Sequence, residues 1–202
     1  MDNSNHMLFF ERAKLYIKVK SFDLAINDID VLLKNKYKVP ESIIMKIECL
    51  MCLKKYEDAE NIVKSDFMAN NVEKEDIIFQ MLGNIYRKQK KFKEALNQYS
   101  KMKILDNLIT EQKAFCYLQI EDYSNAVSEY SKIIEKENKN CTLLLNRGLC
   151  FARMKKYPKA ISDFKEILQI NPNHVEAQKF LVKAENQESK ESVNLSKFRK
   201  RK

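Results

Sequence analysis

A chain of 202 residues with two glycines and three prolines has little material for tight turns or phosphate-cradling loops; that argues against sandwiches, barrels and nucleotide-binding folds and favours long helices with short connections. The formal charge is +9, but Lys197, Arg199, Lys200, Arg201 and Lys202 supply five of those positives, and removing them leaves +4 on a nearly balanced body. No apolar run approaches the roughly 20 residues of a membrane span, and the start MDNSNHMLFFERAK lacks the basic stretch and apolar core of a secretory leader, so the chain reads as cytoplasmic with no membrane partner.

One signature organises the chain: a short charged turn, then aromatic-x-x-Ala. It occurs at Phe22–Ala25, Tyr56–Ala59, Phe92–Ala95, Tyr123–Ala126 and Tyr157–Ala160, with alanines spaced by 34, 36, 31 and 34 residues. Recurrence at a fixed period marks stacked repeats.

The first repeat covers residues 6–39. Phe9, Ala13 and Tyr16 share one face of a first helix; Phe22, Ala25, Ile29 and Leu32 share a face of a second. Pro40 opens the second repeat (40–75), with Ile43, Ile47 and Leu50, then Tyr56, Ala59 and Val63; Asp66 at an apolar position predicts an irregular second helix. The third (76–106) has Phe79, Leu82, Gly83 and Tyr86, then Phe92, Ala95, Tyr99 and Met102, and is three residues short. The fourth (107–140) carries Ala114, Tyr117, Tyr123, Ala126, Tyr130 and Ile133, with Thr110 in place of a bulky residue. The fifth (141–174) is the most regular: Leu144, Gly148 and Phe151, then Tyr157, Ala160, Phe164 and Ile167, ended by Asn171-Pro172, because proline disfavours helical geometry at the residue before it. Residues 175–187 continue in helical rhythm, with Val175, Leu181 and Val182 placed to cap the fifth repeat; residues 188–202 are charged and predicted to be disordered.

These residues resemble the tetratricopeptide repeat, whose pattern is large apolar, Gly, aromatic, Ala, aromatic, Pro within 34 residues; Leu144, Gly148, Phe151, Ala160, Phe164 and Pro172 meet it. The resemblance implies an all-α, right-handed superhelical solenoid of about five helix-turn-helix repeats with a C-terminal capping helix, over residues 6–187. The chain departs from the pattern in having no Trp, in placing Lys20, Lys54, Lys90, Glu121 and Lys155 in turns where Gly is frequent, and in placing Arg12, Lys46, Lys113 and Arg147 where Leu is common. Long basic side chains can bury their stems and keep the charge in water.

By position, the resemblance places Phe10, Lys14 and Ile17, then Ile44, Met45 and Met51, then Ile77, Met81, Asn84 and Arg87 in a concave groove. Leu108, Phe115 and Leu118, then Leu145, Asn146, Leu149 and Arg153, follow. Apolar residues beyond those the core needs suggest a surface for a partner. The implied function is a non-catalytic scaffold or adaptor that binds a peptide or amphipathic helix, or joins a multiprotein assembly. A co-chaperone-like adaptor is an alternative. The branch that grips acidic chaperone C-termini needs Lys and Asn, then Asn, then Lys and Arg in successive repeats. Asn146 fits the middle one, but Glu111 and Phe115 precede it and Glu176 and Phe180 follow, leaving a carboxylate without its cations.

The chemistry inventory points away from an enzyme. His6 and His174 stand 168 residues apart, and no nucleotide loop or nucleophile elbow is present. Five cysteines do not form an even framework, and the Cys49-x-x-Cys52 pair lies in mid-helix without a second pair, so packing is its reading and no metal or cofactor is expected. Asp28, Asp30, Glu57, Asp58 and Glu60 read as solvated surface. The tail LSKFRKRK has three readings: a solubilising end, a nuclear-import signal, or a nucleic-acid contact, the last disfavoured because the aromatics are committed to cores.

Overall fold

The computed structural model describes the backbone of residues 3–67, 75–136 and 140–199, and side chains within 5–65, 75–136 and 140–192. Among these residues every regular element is helical. They form two compact units, Met1–Ile104 and Leu105–Lys202.

The first unit holds three helical hairpins. Helices α1 (Asn3–Lys18) and α2 (Phe22–Lys34) form the first, and α3 (Val39–Cys52) with α4 (Tyr56–Ile62) the second. The irregularity expected around Asp66 is a π-helical turn, Val63–Phe67, that follows the seven-residue α4. Helices α5 (Glu75–Lys88) and α6 (Phe92–Ser100) form the third. The missing residues of this repeat come from α6, which is nine residues long. The chain beyond it is held by Asp76, whose carboxylate accepts the Lys103 and Ile104 backbone N–H groups at 2.9 Å. These two bonds hold the Asp76 carboxyl below the usual carboxylate range.

The second unit contains α7 (Asn107–Gln119) with α8 (Tyr123–Lys136), and α9 (Cys141–Arg153) with α10 (Tyr157–Ile170). Side-chain caps start α7 and α9: Asp106 accepts from the Ile109 N–H at 2.7 Å and Asn140 from the Thr142 N–H at 2.8 Å. A last helix, α11, runs Val175–Arg199 and packs on α10. It does not stop near 187, and the stretch to Arg199 is helical where disorder was expected. Its sequence has no Gly or Pro to end the helix and is rich in Glu, Lys and Gln, which sustain one. Of the three residues expected to cover the fifth repeat, Leu181 does so. Val175 and Val182 are exposed, whereas Ala177 and Ala184 are buried with Phe180 and Leu181 packed beside them, at the i, i+3, i+4, i+7 spacing of one helical face.

The turns inside the hairpins are built alike. Lys20, Lys54, Lys90, Glu121 and Lys155 all adopt left-handed backbone geometry, with φ between 58° and 63°. Each donates its N–H to the carbonyl three residues back, and the next residue donates to the one five back; Lys90 reaches Arg87 and Lys91 reaches Tyr86. This is the Schellman closure that glycine usually supplies. Here a charged side chain accepts the strain of positive φ.

Packing inside each hairpin depends on a residue pair 16 apart. A methyl group on Gly83 would sit 2.3 Å from Tyr99 Cε1, and one on Gly148 2.6 Å from Phe164 Cε1. The same positions carry Ala114 with Tyr130, Ala13 with Ile29, and Ile47 with Val63, each pair within one buried cluster. At the extremes a small first-helix residue faces a ring and a large one faces a short side chain, Gly with Tyr or Phe against Ile with Val, while Ala is paired with Tyr in one hairpin and Ile in another.

A second pair, also 16 apart, corrects the reading of the acids. Asp28 is buried and takes a bidentate contact from Arg12, at 2.7 Å from Nε and 2.6 Å from Nη2. Arg147 does the same to buried Asp163 at 3.0 and 2.7 Å, and Lys113 lies 3.7 Å from Glu129. Three of the four basic residues at this position thus meet an acid 16 residues on, whereas Lys46 pairs with exposed Asp30 of the preceding hairpin; Arg147 and Lys113 retain only 17% and 12% of their side-chain exposure. Burial pushes the Asp163 carboxyl up by more than the guanidinium pulls it down.

Candidate functional site

The residues placed in the groove lie on the first helices of the hairpins, and their exposure sorts them. In the first unit, Ile44, Met51, Ile77 and Met81 are half-buried against the cluster built on Ile47, Val63, Leu82 and Ile85. Met45 and Phe10 are buried in the cluster around Ala13, Ala25 and Cys49, so they are removed from the groove. The Phe10 ring meets Tyr37 edge-on at 6.4 Å and carries the Lys38 ammonium 4.3 Å from its centroid. Lys14 is exposed and pairs with Glu11 at 3.1 Å, while Ile17 is half-buried. Asn84 accepts a hydrogen bond from the buried Tyr99 hydroxyl at 2.8 Å, which commits its carboxamide oxygen to structure. Arg87 is half-buried in the last turn of α5.

In the second unit, Leu108 and Phe115 lie seven residues apart on α7 and are both exposed. Leu118 is half-buried against the α7–α8 core, and Leu145 and Leu149 against the core shared by α9, α10 and α11. Asn146 is half-buried and Arg153 exposed. Side chains of Lys197 and Arg199, and all of Lys200, Arg201 and Lys202, lie outside the described residues.

Two of these residues, Leu149 and Arg153, open on a cavity of about 360 Å³ between α9, α10 and α11. Its apolar wall is Leu149, Ala152, Tyr157, Phe164, Phe180 and Ala184, with the Phe164 and Phe180 rings stacked at 6.0 Å. Arg153, Lys155 and Lys183 bring three cations to it, Gln187 completes the lining, and no carboxylate contributes. Sequence reasoning placed Leu181 correctly but missed Phe180, Lys183 and Ala184 because it grouped Leu181 with Val175 and Val182, although the spacing 177, 180, 184 was readable. Such a cavity can bury one apolar side chain and attract an acidic neighbour.

A larger cleft in the first unit, about 560 Å³, lies at the turns of the second and third hairpins. Five lysines, Glu57 and Asp58 line it beside Tyr56 and Gln89, so it offers charge and little apolar area. The Cys49 and Cys150 thiols are pushed up by burial, to about 11 and about 12, and are neutral, weak nucleophiles at pH 7. Among the described residues no three His, Cys, Asp or Glu side chains converge as a metal site, and no helix is long and apolar enough to cross a membrane.

Comparison with known proteins agrees with this architecture. The tetratricopeptide repeat sequence model matches residues 142–174. A DnaJ protein P58IPK homolog of Arabidopsis thaliana is 23% identical over 190 residues, covering 84% of this chain but 38% of that protein, so the chain spans well under half of that relative's length. The solved C-terminal part of a tetratricopeptide repeat-containing protein from Cytophaga hutchinsonii superposes with a TM-score of 0.77 at 21% identity, over 90% of this chain and 72% of that one. YrrB, described as a tetratricopeptide repeat protein with an unusual peptide-binding site, superposes with a TM-score of 0.67 at 18% identity, over 85% and 89%. The chain thus carries one tetratricopeptide repeat recognised by sequence, at residues 142–174, and shares the helical-hairpin fold of solved tetratricopeptide repeat proteins.

Proposed function

We propose that this chain is a non-catalytic adaptor that seats a peptide or helix of another protein, with an apolar anchor side chain entering the cavity between α9, α10 and α11. The observation that carries the reading is that cavity's lining: stacked Phe164 and Phe180 behind a mouth with Arg153, Lys155 and Lys183 and no acid. An apolar residue followed or preceded by Asp or Glu would satisfy both parts. Burial of one such anchor supplies about 1.5–3 kcal/mol, and the cations add orientation and faster encounter. Exposed Leu108 and Phe115 add apolar area in the same unit. A cytoplasmic setting, with no cofactor and no membrane partner, goes with this role.

The test is charge reversal at the mouth. Arg153→Glu/Lys183→Glu changes two exposed side chains, so the thermal midpoint should match wild type while the partner recovered by affinity capture from the native source is lost. Undiminished recovery overturns the reading. Capture that survives the reversal but disappears on deleting residues 197–202 would assign binding to the basic tail instead, as a salt-sensitive polyanion contact.

A further inference from the structure

The outer face of α1 carries the residues of an interface that no described helix completes. Positions 17 and 10 residues before each signature alanine face the preceding hairpin in the later repeats: Ser42 and Cys49, Ile78 and Ile85, Leu143 and Cys150. All six are buried, between 0 and 4% exposed. The clusters show what covers them. Cys49 packs with Ala25, Ile29 and Leu32 of α2, and Leu143 and Cys150 pack with Ala126, Tyr130 and Ile133 of α8. In α1 the same two positions are Leu8 and Leu15, which are 68% and 62% exposed, with Val19 one turn further at 66%.

The polar contact between them repeats as well. Lys46 reaches back to Asp30 of α2 at 2.7 Å, and Arg147 reaches back through Nη1 to Ser131 of α8 at 3.2 Å. Arg12 occupies the same position. Its Nε and Nη2 are held by Asp28, as in Arg147, but its Nη1 has no hydrogen bond among the described residues, and the side chain is 53% exposed against 17% for Arg147. Apolar stripe and open donor are thus in the register of an inter-hairpin interface.

We propose that α1 docks an amphipathic helix of another protein, seated as α2 is on α3 and α8 is on α9. The chain states the chemistry of the occupant twice. Both covering helices read Ala, a large apolar residue four later, Asp or Ser immediately after it, and an apolar residue at seven: Ala25, Ile29, Asp30, Leu32, and Ala126, Tyr130, Ser131, Ile133. The small residue admits close approach, the two apolar ones cover Leu8 and Leu15, and the carboxylate or hydroxyl takes Arg12 Nη1. A second copy meeting α1 with α1 fits this chemistry less well: its one acid on the stripe, Glu11, already pairs with Lys14 at 3.1 Å, and the stripe of Leu8, Glu11, Arg12 and Leu15 offers no small residue for close approach. This surface is separate from the cavity on the second unit, so its fate does not depend on that reading.

A labelled peptide of residues 122–136 is the probe, titrated against the full chain by fluorescence anisotropy. The expected results are saturable binding and a loss of more than about tenfold with Leu8→Glu/Leu15→Glu. The Ser131→Asp peptide should bind about threefold tighter. Ile104→Glu, at an exposed residue outside both surfaces, should bind as wild type, and the Leu8→Glu/Leu15→Glu variant should melt with the wild-type midpoint. No saturable binding, equal binding by the two-leucine variant, or a lowered midpoint for it overturns the proposal. So does a wild-type dimer in sedimentation velocity that Leu8→Glu/Leu15→Glu dissociates, since a second copy would then cover the face.

Discussion

Tyr99 and Phe164 occupy the volume that a side chain on Gly83 or Gly148 would require. Gly83→Ala should therefore cost about 1–2 kcal/mol in urea denaturation, because overpacking of about 1–3 kcal/mol exceeds the gain of up to about 1 kcal/mol from replacing a helical glycine. Adding Tyr99→Ile recreates the Ala13–Ile29 combination of the first hairpin and should recover part of the loss; no recovery would show that volume is not the controlling quantity. The buried ion pairs make a second residue-scale prediction. Asp163→Ala leaves Arg147 largely buried, with no carboxylate bonded to it and with the Ser131 hydroxyl and the Phe151 ring among its contacts, and should cost about 3 kcal/mol. Arg147→Leu/Asp163→Leu should return to within about 1 kcal/mol of wild type, since burial already opposes the Asp163 charge. A double variant as unstable as the single would mean that the pair itself stabilises the hairpin.

Helices in this chain end where a charged residue takes a conformation that suits glycine. At Lys54 and Lys90, φ is 61° and 62°. Left-handed geometry costs an L-residue about 1–2 kcal/mol, and the greater unfolded-state freedom of glycine returns about 0.4–1 kcal/mol of that. The Lys54→Gly/Lys90→Gly variant is accordingly expected to be about 1 kcal/mol more stable in urea, whereas Lys54→Ala/Lys90→Ala, which removes the same charges and keeps the strain, should show no gain. Stability that rises equally in both variants would trace to charge crowding along the turns. On α11 the element-scale lesson is one of facing. A helix of 25 residues has several candidate stripes, and only contact with α10 selects Ala177, Phe180, Leu181 and Ala184 over Val175 and Val182.

Across the whole molecule the fold was legible because its determinants recur. Aromatic-x-x-Ala at five places fixes where hairpins begin, and the bulky residues around it can hardly face water in all of them. The site was less legible, because exposure at a given register depends on which neighbour covers it. Ile44 and Met45 are adjacent in sequence, yet one is half-buried at the surface of a core and the other is inside. The charges were misread for a related reason: periodicity within a helix cannot show that Arg12 meets Asp28, or Arg147 meets Asp163, across a turn. The pairs 16 residues apart also bear on how such a chain can change. Ala13 needs Ile29, Gly148 needs Phe164, and Arg147 needs Asp163, so altering one member leaves a clash, a void or a stranded charge. Both members lie within one hairpin, so recombination that cuts between hairpins preserves them and recombination inside a hairpin separates them. Insertion, loss or exchange of whole hairpins is then the genetic step that this architecture tolerates best.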